Sequence, residues 1–231
     1  RAAAEVCAAN GIRVRIFESL RPTPELSFAV RYYGCQAGIN VTASHNPKEY
    51  NGYKAYWTDG AQVTPPHDKN IIAEVEKITD VDMILTGKNP ENITILDEKF
   101  DEIYLDKVHE LSLSPESVKK HHDMKIVYSP MHGAGVRLVP ASLRKFGFTN
   151  VIMVKEQAVI DGNFPTVESP NPEERKTMAK AIELLPGDSE YVEPAKASLA
   201  NYRANFPNTE ECFFNELQSG ARYTVTCGTA A

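Results

Sequence analysis

The sequence predicts an α/β fold made of tandem α/β domains with mixed, largely parallel sheets. Short β-branched runs alternate with helical patterns of 10 to 15 residues, which is the order typical of such sheets. The alternation starts again after a polar stretch near the middle of the chain, which predicts a second domain of similar kind. Apolar residues make up 42% and charged residues 24% of the 231 residues, as in an ordinary globular protein.

Each element of the first block has a local reason. Asn10-Gly11 is a helix stop, and the alternation that follows it, with period two, is typical of a strand. Thr23-Pro24-Glu25 offers an N-cap, a proline at the first helical position and an acid in the first turn. Asn51-Gly52 is a turn between two strands. Strands are predicted over 12–17, 37–42 and 53–57, and helices over 1–9, 23–33, 68–78 and 97–111.

The second block repeats the strand and helix alternation. A domain boundary is predicted near 112–122, where Ser114-Pro115-Glu116 repeats the cap, proline and acid pattern before a polar run. The predicted domains are residues 1–115, 116–188 and an unassigned tail, 189–231, without a chemical motif. Strands are predicted over 125–128, 151–154 and 222–227, and helices over 136–145, 171–185, 193–205 and 210–217.

Charge and cysteine usage exclude several classes of protein. The chain has 25 Lys and Arg against 31 Asp and Glu, a net charge of −6, which is unfavourable for binding duplex nucleic acid. No run approaches the roughly 18 to 20 apolar residues of a membrane helix, and the first residues are not typical of a signal peptide. The first residue is Arg1, so we expect a processed product or part of a longer protein. The four cysteines fit no zinc spacing and are predicted to be reduced, buried thiols of a cytoplasmic protein: Cys7, Cys35, Cys212 and Cys227.

The segment with the clearest chemistry is the serine loop, residues 42–52, which reads Thr-Ala-Ser-His-Asn-Pro and later Asn-Gly. A strand delivers Ser44 to its carboxyl end, where α/β sheets place ligands. Pro47 rigidifies the loop, and Gly52 allows a turn after which the next strand brings back Lys54. A hydroxyl, the imidazole of His45 and an ammonium are thus expected to converge. A serine hydroxyl needs such neighbours because it is a weak nucleophile.

Other motifs do not account for this segment. It is not the G-x-S-x-G elbow of hydrolases, because no glycine lies two residues before or after Ser44. Gly133-Ala134-Gly135 gives a G-x-G at a strand-to-helix turn, without the third glycine of a dinucleotide site. The simpler interpretation is a tight turn whose helix N-terminus can hold an anion. His121-His122 is interpreted as a solvated linker, and Trp57 as a core or domain-interface residue.

Residues 42–47 together with Asn51-Gly-Tyr-Lys54 resemble the phosphoserine loop of the α-D-phosphohexomutases, the phosphoglucomutase and phosphomannomutase superfamily. Residues 38–68 are similar to the branch that holds certain bacterial phosphoglucomutases and phosphopentomutase-like enzymes. In the second block, residues 128–133, 161–165 and 170–173 also resemble the family. The resemblance covers residues 1–185.

The resemblance implies an intramolecular phosphotransferase that interconverts sugar 1-phosphates and 6-phosphates. Ser44 would carry a phosphoryl group, pass it to the sugar and take the other phosphate back from a bisphosphorylated intermediate. Lys54 would act as general acid or base, and His45 would orient the phosphoryl group. Asn46 and His132 would contact substrate, although His132 could equally serve the structure of its turn. The implied cofactors are Mg²⁺, bound through the phosphate on Ser44, and glucose 1,6-bisphosphate as phosphoryl donor.

The chain also departs from the family pattern. It lacks the D-x-D-x-D-R metal loop, the sugar-selecting loop and the phosphate loop of the last domain, and members are about twice as long. We therefore expect part of a mutase that lacks the first strands of its first domain and is by itself inactive. The alternative is a catalytically inactive mutase-derived scaffold. The expected partners are small sugar phosphates, with no nucleic acid and no membrane. Glucose, mannose and pentose phosphates stay open, as does the oligomeric state.

Overall fold

The structure is a computed structural model that describes residues 1–44, 46–87, 89–171 and 176–184, and the backbone of a strand at 223–227. The chain forms two compact units. The first unit comprises residues 1–40 and 53–104, and the second unit comprises 41–52 and 105–231. The serine loop thus groups with the second half of the chain.

The elements alternate between helix and strand, as the sequence predicts. The helices are α1 (Ala2–Ala9), α2 (Thr23–Tyr32), α3 (His67–Val75), α4 (Glu98–Glu110), α5 (Pro115–Lys120), α6 (Gly135–Phe146) and α7 (Ala179–Glu183). The strands are β1 (Val14–Phe17), β2 (Gly38–Thr42), β3 (Gly52–Tyr56), β4 (Ile93–Leu96), β5 (Lys125–Ser129), β6 (Val151–Met153) and β7 (Tyr223–Cys227).

Two small sheets are formed by the first four strands of the chain. Strands β1 and β4 pair in parallel, from Val14 opposite Ile93 to Phe17 opposite Leu96. Strands β2 and β3 form the other two-stranded sheet. Strand β4 has no counterpart in the sequence prediction, because it is only four residues long and its pairing partner lies far away in sequence.

Aromatic side chains form the core of the first unit. Phe100 on α4 is 3% exposed and packs with buried Ala29 of α2 and Leu96 of β4. Its ring stacks on Tyr33 with centroids 5.2 Å apart. The guanidinium of Arg15 covers the Tyr33 ring at 4.3 Å, which adds a cation–π contact at the edge of this core. The core thus joins both helices to the β1–β4 sheet.

Glycine is required at one turn of the first unit. Gly60 has a φ of +76°, and a Cβ added there would lie 2.6 Å from the carbonyl oxygen of Ser27 on α2. The turn after β3 therefore packs directly against the backbone of α2, which a larger residue would prevent.

A buried ion network links α2 and α4. Arg21, whose side chain is 1% exposed, donates from Nε and from a terminal nitrogen to the two carboxylate oxygens of Asp101, at 2.7 and 2.9 Å. It also contacts Glu18 at 3.3 Å and Glu25 at 3.8 Å. Burial alone would lower the pKa of Arg21, but these partners, Asp101 above all, raise it above its ordinary value. Arg21 is therefore charged and is held in one geometry.

Removing the charge of Arg21 tests how much the buried ion network contributes to the free energy of unfolding. Arg21→Met keeps the aliphatic stem but leaves two buried carboxylates without their guanidinium partner. We expect the free energy of unfolding, measured by urea denaturation of the chain, to fall by about 3–5 kcal/mol. The matched control is Lys77→Met, which breaks an ion pair with Glu74 whose side chains are 67% and 72% exposed. A loss as small as that of the control would contradict the role given to Arg21.

The second unit contains a parallel three-stranded sheet in the order β6-β5-β7. Ile126 lies opposite Val151 on one side and opposite Thr224 on the other. Buried apolar side chains of β5, the loops and α7 form one cluster: Val127, Met131, Val154, Met178 and Ala181. Gly147 ends α6 in a left-handed conformation, with φ of +108°. The α/β fold with parallel sheets is thus confirmed, and part of the predicted tail supplies the strand β7.

Several predicted details differ from the structure. The N-cap of α2 is Pro22, and Thr23 Oγ1 instead accepts a hydrogen bond of 2.7 Å from Asn40. A helix is predicted over 171–185. Among its described residues only Ala179–Glu183 are helical, and 176–178 form a turn. Trp57 is 39% exposed, with its ring edge against His67, so it is not a core residue.

The remaining predictions fare as follows. Cys7 and Cys35 are free but only half-buried, so the prediction of buried thiols is wrong for these two. His121 and His122 are exposed, as predicted for a linker. Where the structure describes the chain, no helix is long and apolar enough to cross a membrane. The helices predicted at 193–205 and 210–217, Cys212 and the side chain of Cys227 lie outside the described residues. The boundary at 115/116 stays a prediction; the compact units divide at 104/105.

Candidate active site

Ser44 follows the carboxyl end of β2 in a left-handed backbone conformation. Its φ is +59°, which is uncommon for a residue with a side chain. Its N–H donates to Oγ1 of buried Thr42 at 2.9 Å, so the β-branched residue at the strand end supports the turn. Strained backbone of this kind costs roughly 1–3 kcal/mol and is found where a side chain must be aimed. The Ser44 side chain itself is half-buried.

The serine loop is closed by its own backbone hydrogen bonds. The N–H of Asn46 donates to the carbonyl of Ala43 at 3.1 Å, and that of Tyr50 donates to Pro47 at 2.9 Å. A short 3-10 turn over Lys48–Tyr50 then leads to β3. Asn46 is exposed, and His45 lies outside the described residues. The loop is therefore compact, and its polar tip faces solvent.

Lys54 lies at the middle of β3 and is half-buried. It belongs to the first unit, whereas Ser44 and Asn46 belong to the second unit. The predicted convergence of hydroxyl and ammonium therefore stays a prediction. Within the second unit, the structure joins the serine loop to the turn that holds His132 through one intermediate loop.

The turn after β5 has two consecutive residues in left-handed conformation. Met131 has a φ of +44° and His132 a φ of +61°. Both are buried, at 0% and 3% exposure. The N–H of His132 donates to the carbonyl of Gln157 at 2.8 Å, and the N–H of Met131 donates to Oγ of Ser129 at 3.1 Å. These bonds hold the strained turn against the protein interior.

The imidazole of His132 has protein partners on both nitrogens. Nδ1 lies 2.7 Å from the carbonyl oxygen of Val159, and Nε2 lies 2.8 Å from Oγ1 of Thr166. A carbonyl only accepts, so the partners assign the proton to Nδ1, and in the neutral ring Nε2 accepts from the Thr166 hydroxyl. This geometry supports the structural alternative for His132 rather than direct contact with substrate.

The hydrogen bonds continue into buried Gln157. Its Nε2 donates to Thr166 Oγ1 at 3.1 Å, and its Oε1 accepts from Ser129 Oγ at 2.5 Å. We call His132, Thr166, Gln157 and Ser129 the buried network. In every bond of this network one partner donates and the other accepts, and all the donations run in one direction, from Ser129 to His132. Networks satisfied in this way specify one arrangement of the chain. Sequence reasoning missed Gln157 and Thr166, since a lone Gln or Thr carries no motif.

The loop 159–166 connects the buried network to the serine loop. The N–H of Asp161 donates to the carbonyl of His132 at 3.3 Å. Asn163 donates from its backbone N–H and its Nδ2 to Oδ1 of Asp161, at 2.8 and 3.0 Å. Asn163 Oδ1 then accepts a hydrogen bond of 2.6 Å from Nζ of Lys48 in the serine loop. Sequence reasoning did not single out Lys48.

Mg²⁺ does not fit the residues at hand. Within the part of the chain that the structure describes, no group of three or more His, Cys, Asp or Glu side chains could hold a metal ion. A phosphate on Ser44 would offer few of the several oxygen ligands that Mg²⁺ takes.

Comparison with known proteins identifies the two halves of the chain. Residues 1–82 match the model for phosphoglucomutase/phosphomannomutase, alpha/beta/alpha domain I. Residues 102–191 match the model for alpha/beta/alpha domain II of the same family. The predicted resemblance is therefore confirmed over most of the chain.

Individual relatives agree with these models. The chain is 37% identical to a phosphoglucomutase of Staphylococcus haemolyticus, over 78% of this chain and 33% of that protein. It is 38% identical to a probable phosphoribomutase of Schizosaccharomyces pombe, over 79% of this chain and 32% of that protein. A crystal structure of a putative phosphomannomutase from Thermus thermophilus superposes with a TM-score of 0.65 at 28% identity, covering 81% and 40% of the two chains.

The chain spans about a third of the length of the curated relatives it matches. The two family models nevertheless match consecutive parts of it, and they include the serine loop and the turn that holds His132. The chain belongs to the phosphoglucomutase/phosphomannomutase family.

Proposed function

We propose that this chain provides the phosphoserine part of a mutase that moves a phosphoryl group between the 1- and 6-positions of a sugar phosphate. The observation that carries the proposal is the left-handed, half-buried Ser44 at the carboxyl end of β2, inside a loop of the family's phosphoserine type. Membership of the family supports it. Because the chain spans about a third of its relatives, the activity of the complete protein is part of the proposal.

The proposed reaction has two symmetrical halves. A sugar hydroxyl attacks the phosphorus on Ser44, the bond from phosphorus to Oγ breaks, and a bisphosphorylated sugar forms. That intermediate turns around, its other phosphate is attacked by Ser44 Oγ, and the product keeps the first phosphate. In the first half a base passes the proton of the attacking hydroxyl to the departing Oγ of Ser44. In the second half Oγ gives up that proton, which goes to the sugar oxygen released from its phosphate, so atoms and charge balance. Most of the rate gain in such a reaction comes from positioning and from electrostatic stabilisation.

The structure supports a fixed position for the nucleophile. Strained backbone at Ser44 is held by the hydrogen bond to Thr42 and by the closed serine loop. An oxygen that is already placed needs little reorganisation when the phosphoryl group is transferred. This is the contribution that the described residues make most directly.

Further residues are proposed to assist Ser44. Lys54, half-buried in β3, is proposed to exchange the proton of the sugar hydroxyl. His45 and the exposed Asn46 are proposed to orient the phosphoryl group and to contact the sugar phosphate. His132 is proposed to position the loop 159–166 rather than to touch substrate, since both its nitrogens are engaged. Mg²⁺ is proposed only as a cofactor of the complete protein, since the described residues of this chain offer it no group of three or more ligands.

The relatives bear on the substrate class and on the setting. They are named for glucose, mannose and ribose substrates, so we propose a hexose phosphate. A pentose phosphate is the alternative substrate, and because it has no 6-position the transfer would then end at the 5-position. Glucose 1,6-bisphosphate is the proposed donor that first phosphorylates Ser44. Free thiols at Cys7 and Cys35 agree with the proposed cytoplasmic location.

Phosphorylation of Ser44 is the first test. The natural gene product that carries this sequence, incubated with glucose 1,6-bisphosphate and Mg²⁺, should gain one phosphate by intact-mass analysis. Ser44→Ala should gain none and should lose mutase turnover, because the acceptor oxygen is gone. The control is Ser114→Ala, which alters an exposed serine whose side chain makes no capping hydrogen bond. A phosphate that persists in Ser44→Ala would overturn the assignment, and a wild type that takes none would favour the inactive scaffold.

Lys54→Met tests the proton transfer. We expect kcat to fall by about 10²- to 10⁴-fold, the usual range for loss of a general acid or base, with a smaller change in KM. Phosphate on Ser44 in the resting protein should remain detectable by mass. Lys69→Met, at an exposed lysine of α3, is the matched control. Near-normal kcat with an unchanged pH–rate profile would remove Lys54 from the mechanism.

A further inference from the structure

We propose that the hydrogen bond between Lys48 and Asn163 positions the serine loop for phosphoryl transfer. Both residues lie in the second unit, and the bond is 2.6 Å long. Neither residue belongs to the proposed chemical steps. The inference rests on the proposed function, because it assigns to this contact the task of fixing the residue that carries the phosphoryl group.

The acceptor side of the contact is itself held in place. Both the backbone N–H and the Nδ2 of Asn163 donate to the same carboxylate oxygen of Asp161. The amide can make the second of these bonds only with its nitrogen toward Asp161, so its oxygen points the other way. That oxygen is the one that accepts from Lys48. The bonds to Asp161 thus fix the orientation of Asn163 independently of Lys48.

The loop 159–166 is anchored in turn to the protein interior. The carbonyl of Val159 and the hydroxyl of Thr166 bind the two ring nitrogens of His132, which is 3% exposed. The N–H of Asp161 donates to the carbonyl of His132. Both ends and the middle of the loop are therefore bound to one buried residue, so Asn163 is carried on a fixed support.

The donor side lies close to the nucleophile in sequence. Lys48 begins the 3-10 turn that closes the serine loop, four residues after Ser44. The N–H of Asn51 donates to the carbonyl of Lys48 at 3.1 Å. Lys48 is thus part of the internal bonding of the loop, and a restraint on its side chain limits movement of the whole loop, including the strained serine.

The expected effect is on catalysis rather than on stability. Lys48 and Asn163 are exposed, and a single exposed hydrogen bond adds little to the folding free energy. A displaced phosphoserine, however, loses alignment with the attacking hydroxyl. Loss of the contact should therefore lower kcat by roughly 3- to 10-fold, the rate equivalent of one hydrogen bond, with KM nearly unchanged.

The kinetic test uses the natural gene product with four test variants and one control variant. Lys48→Met and Asn163→Ala should each show the reduced kcat, and the double variant should be no worse than either, because both remove the same contact. Lys48→Arg, which keeps a cationic donor, should recover most of the rate. Lys176→Met is the control, since it breaks an exposed ion pair with Glu168 in the same unit. Additive losses, or no recovery with arginine, would overturn the proposal.

A second measurement separates this proposal from the proposed function. Hydrogen–deuterium exchange of the peptide that covers 41–52, measured on the 231-residue chain, should be faster in Asn163→Ala than in wild type and unchanged in Lys176→Met. Exchange reports the restraint without any turnover. Unchanged exchange would overturn the restraint even in an active enzyme. Faster exchange in a protein that never takes phosphate on Ser44 would instead contradict only the proposed function.

Discussion

The side chain of His132 binds the loop 159–166 to the turn after β5 in the second unit. An imidazole buried to 3% exposure must have partners for both nitrogens, because an unsatisfied buried polar atom costs about 1–3 kcal/mol. Val159 and Thr166 provide them from the two ends of one loop. Ser129 of β5 donates to Gln157, and Gln157 donates to Thr166, so a chain of hydrogen bonds runs from β5 to the imidazole. The requirement to satisfy one ring therefore fixes the course of the loop 159–166.

Backbone strain in the described chain is concentrated around the same loops. Four residues other than glycine have positive φ: Ser44, Met131, His132 and Phe164. All lie in the second unit, in the serine loop, the turn after β5 and the loop 159–166. Such conformations persist only where surrounding bonds hold them, as the bonds to Thr42 Oγ1 and Ser129 Oγ do. The same unit thus contains Ser44, the proposed phosphoryl carrier, and the hydrogen bonds of the loops around it.

Much of the fold follows from local sequence. The period-two run before Phe17 forms β1, and the family follows from the serine loop. The turn predicted at Asn51-Gly52 lies instead at Lys48–Tyr50, and Gly52 already begins β3, because the loop closes through its own backbone hydrogen bonds before the Asn-Gly pair. Strand β4 was not predicted, because four residues are too few to show a periodic pattern. Its pairing with β1 depends on residues far away in the sequence. The contacts of Lys48, Gln157 and Thr166 also depend on distant partners. A single sequence shows which residue types are present but not which of them meet.

The position of the imidazole proton of His132 shows directly whether the buried network runs in the direction described. The partners of His132 require the proton on Nδ1, donated to the Val159 carbonyl, and a bare Nε2 that accepts from Thr166. Long-range ¹H–¹⁵N correlation spectra of the chain, recorded in mildly alkaline buffer and assigned with a His132→Gln variant, distinguish the two ring nitrogens. We expect a protonated Nδ1 and an unprotonated Nε2 for His132. A proton on Nε2 would contradict the direction of the buried network and the anchoring of the loop 159–166 built upon it.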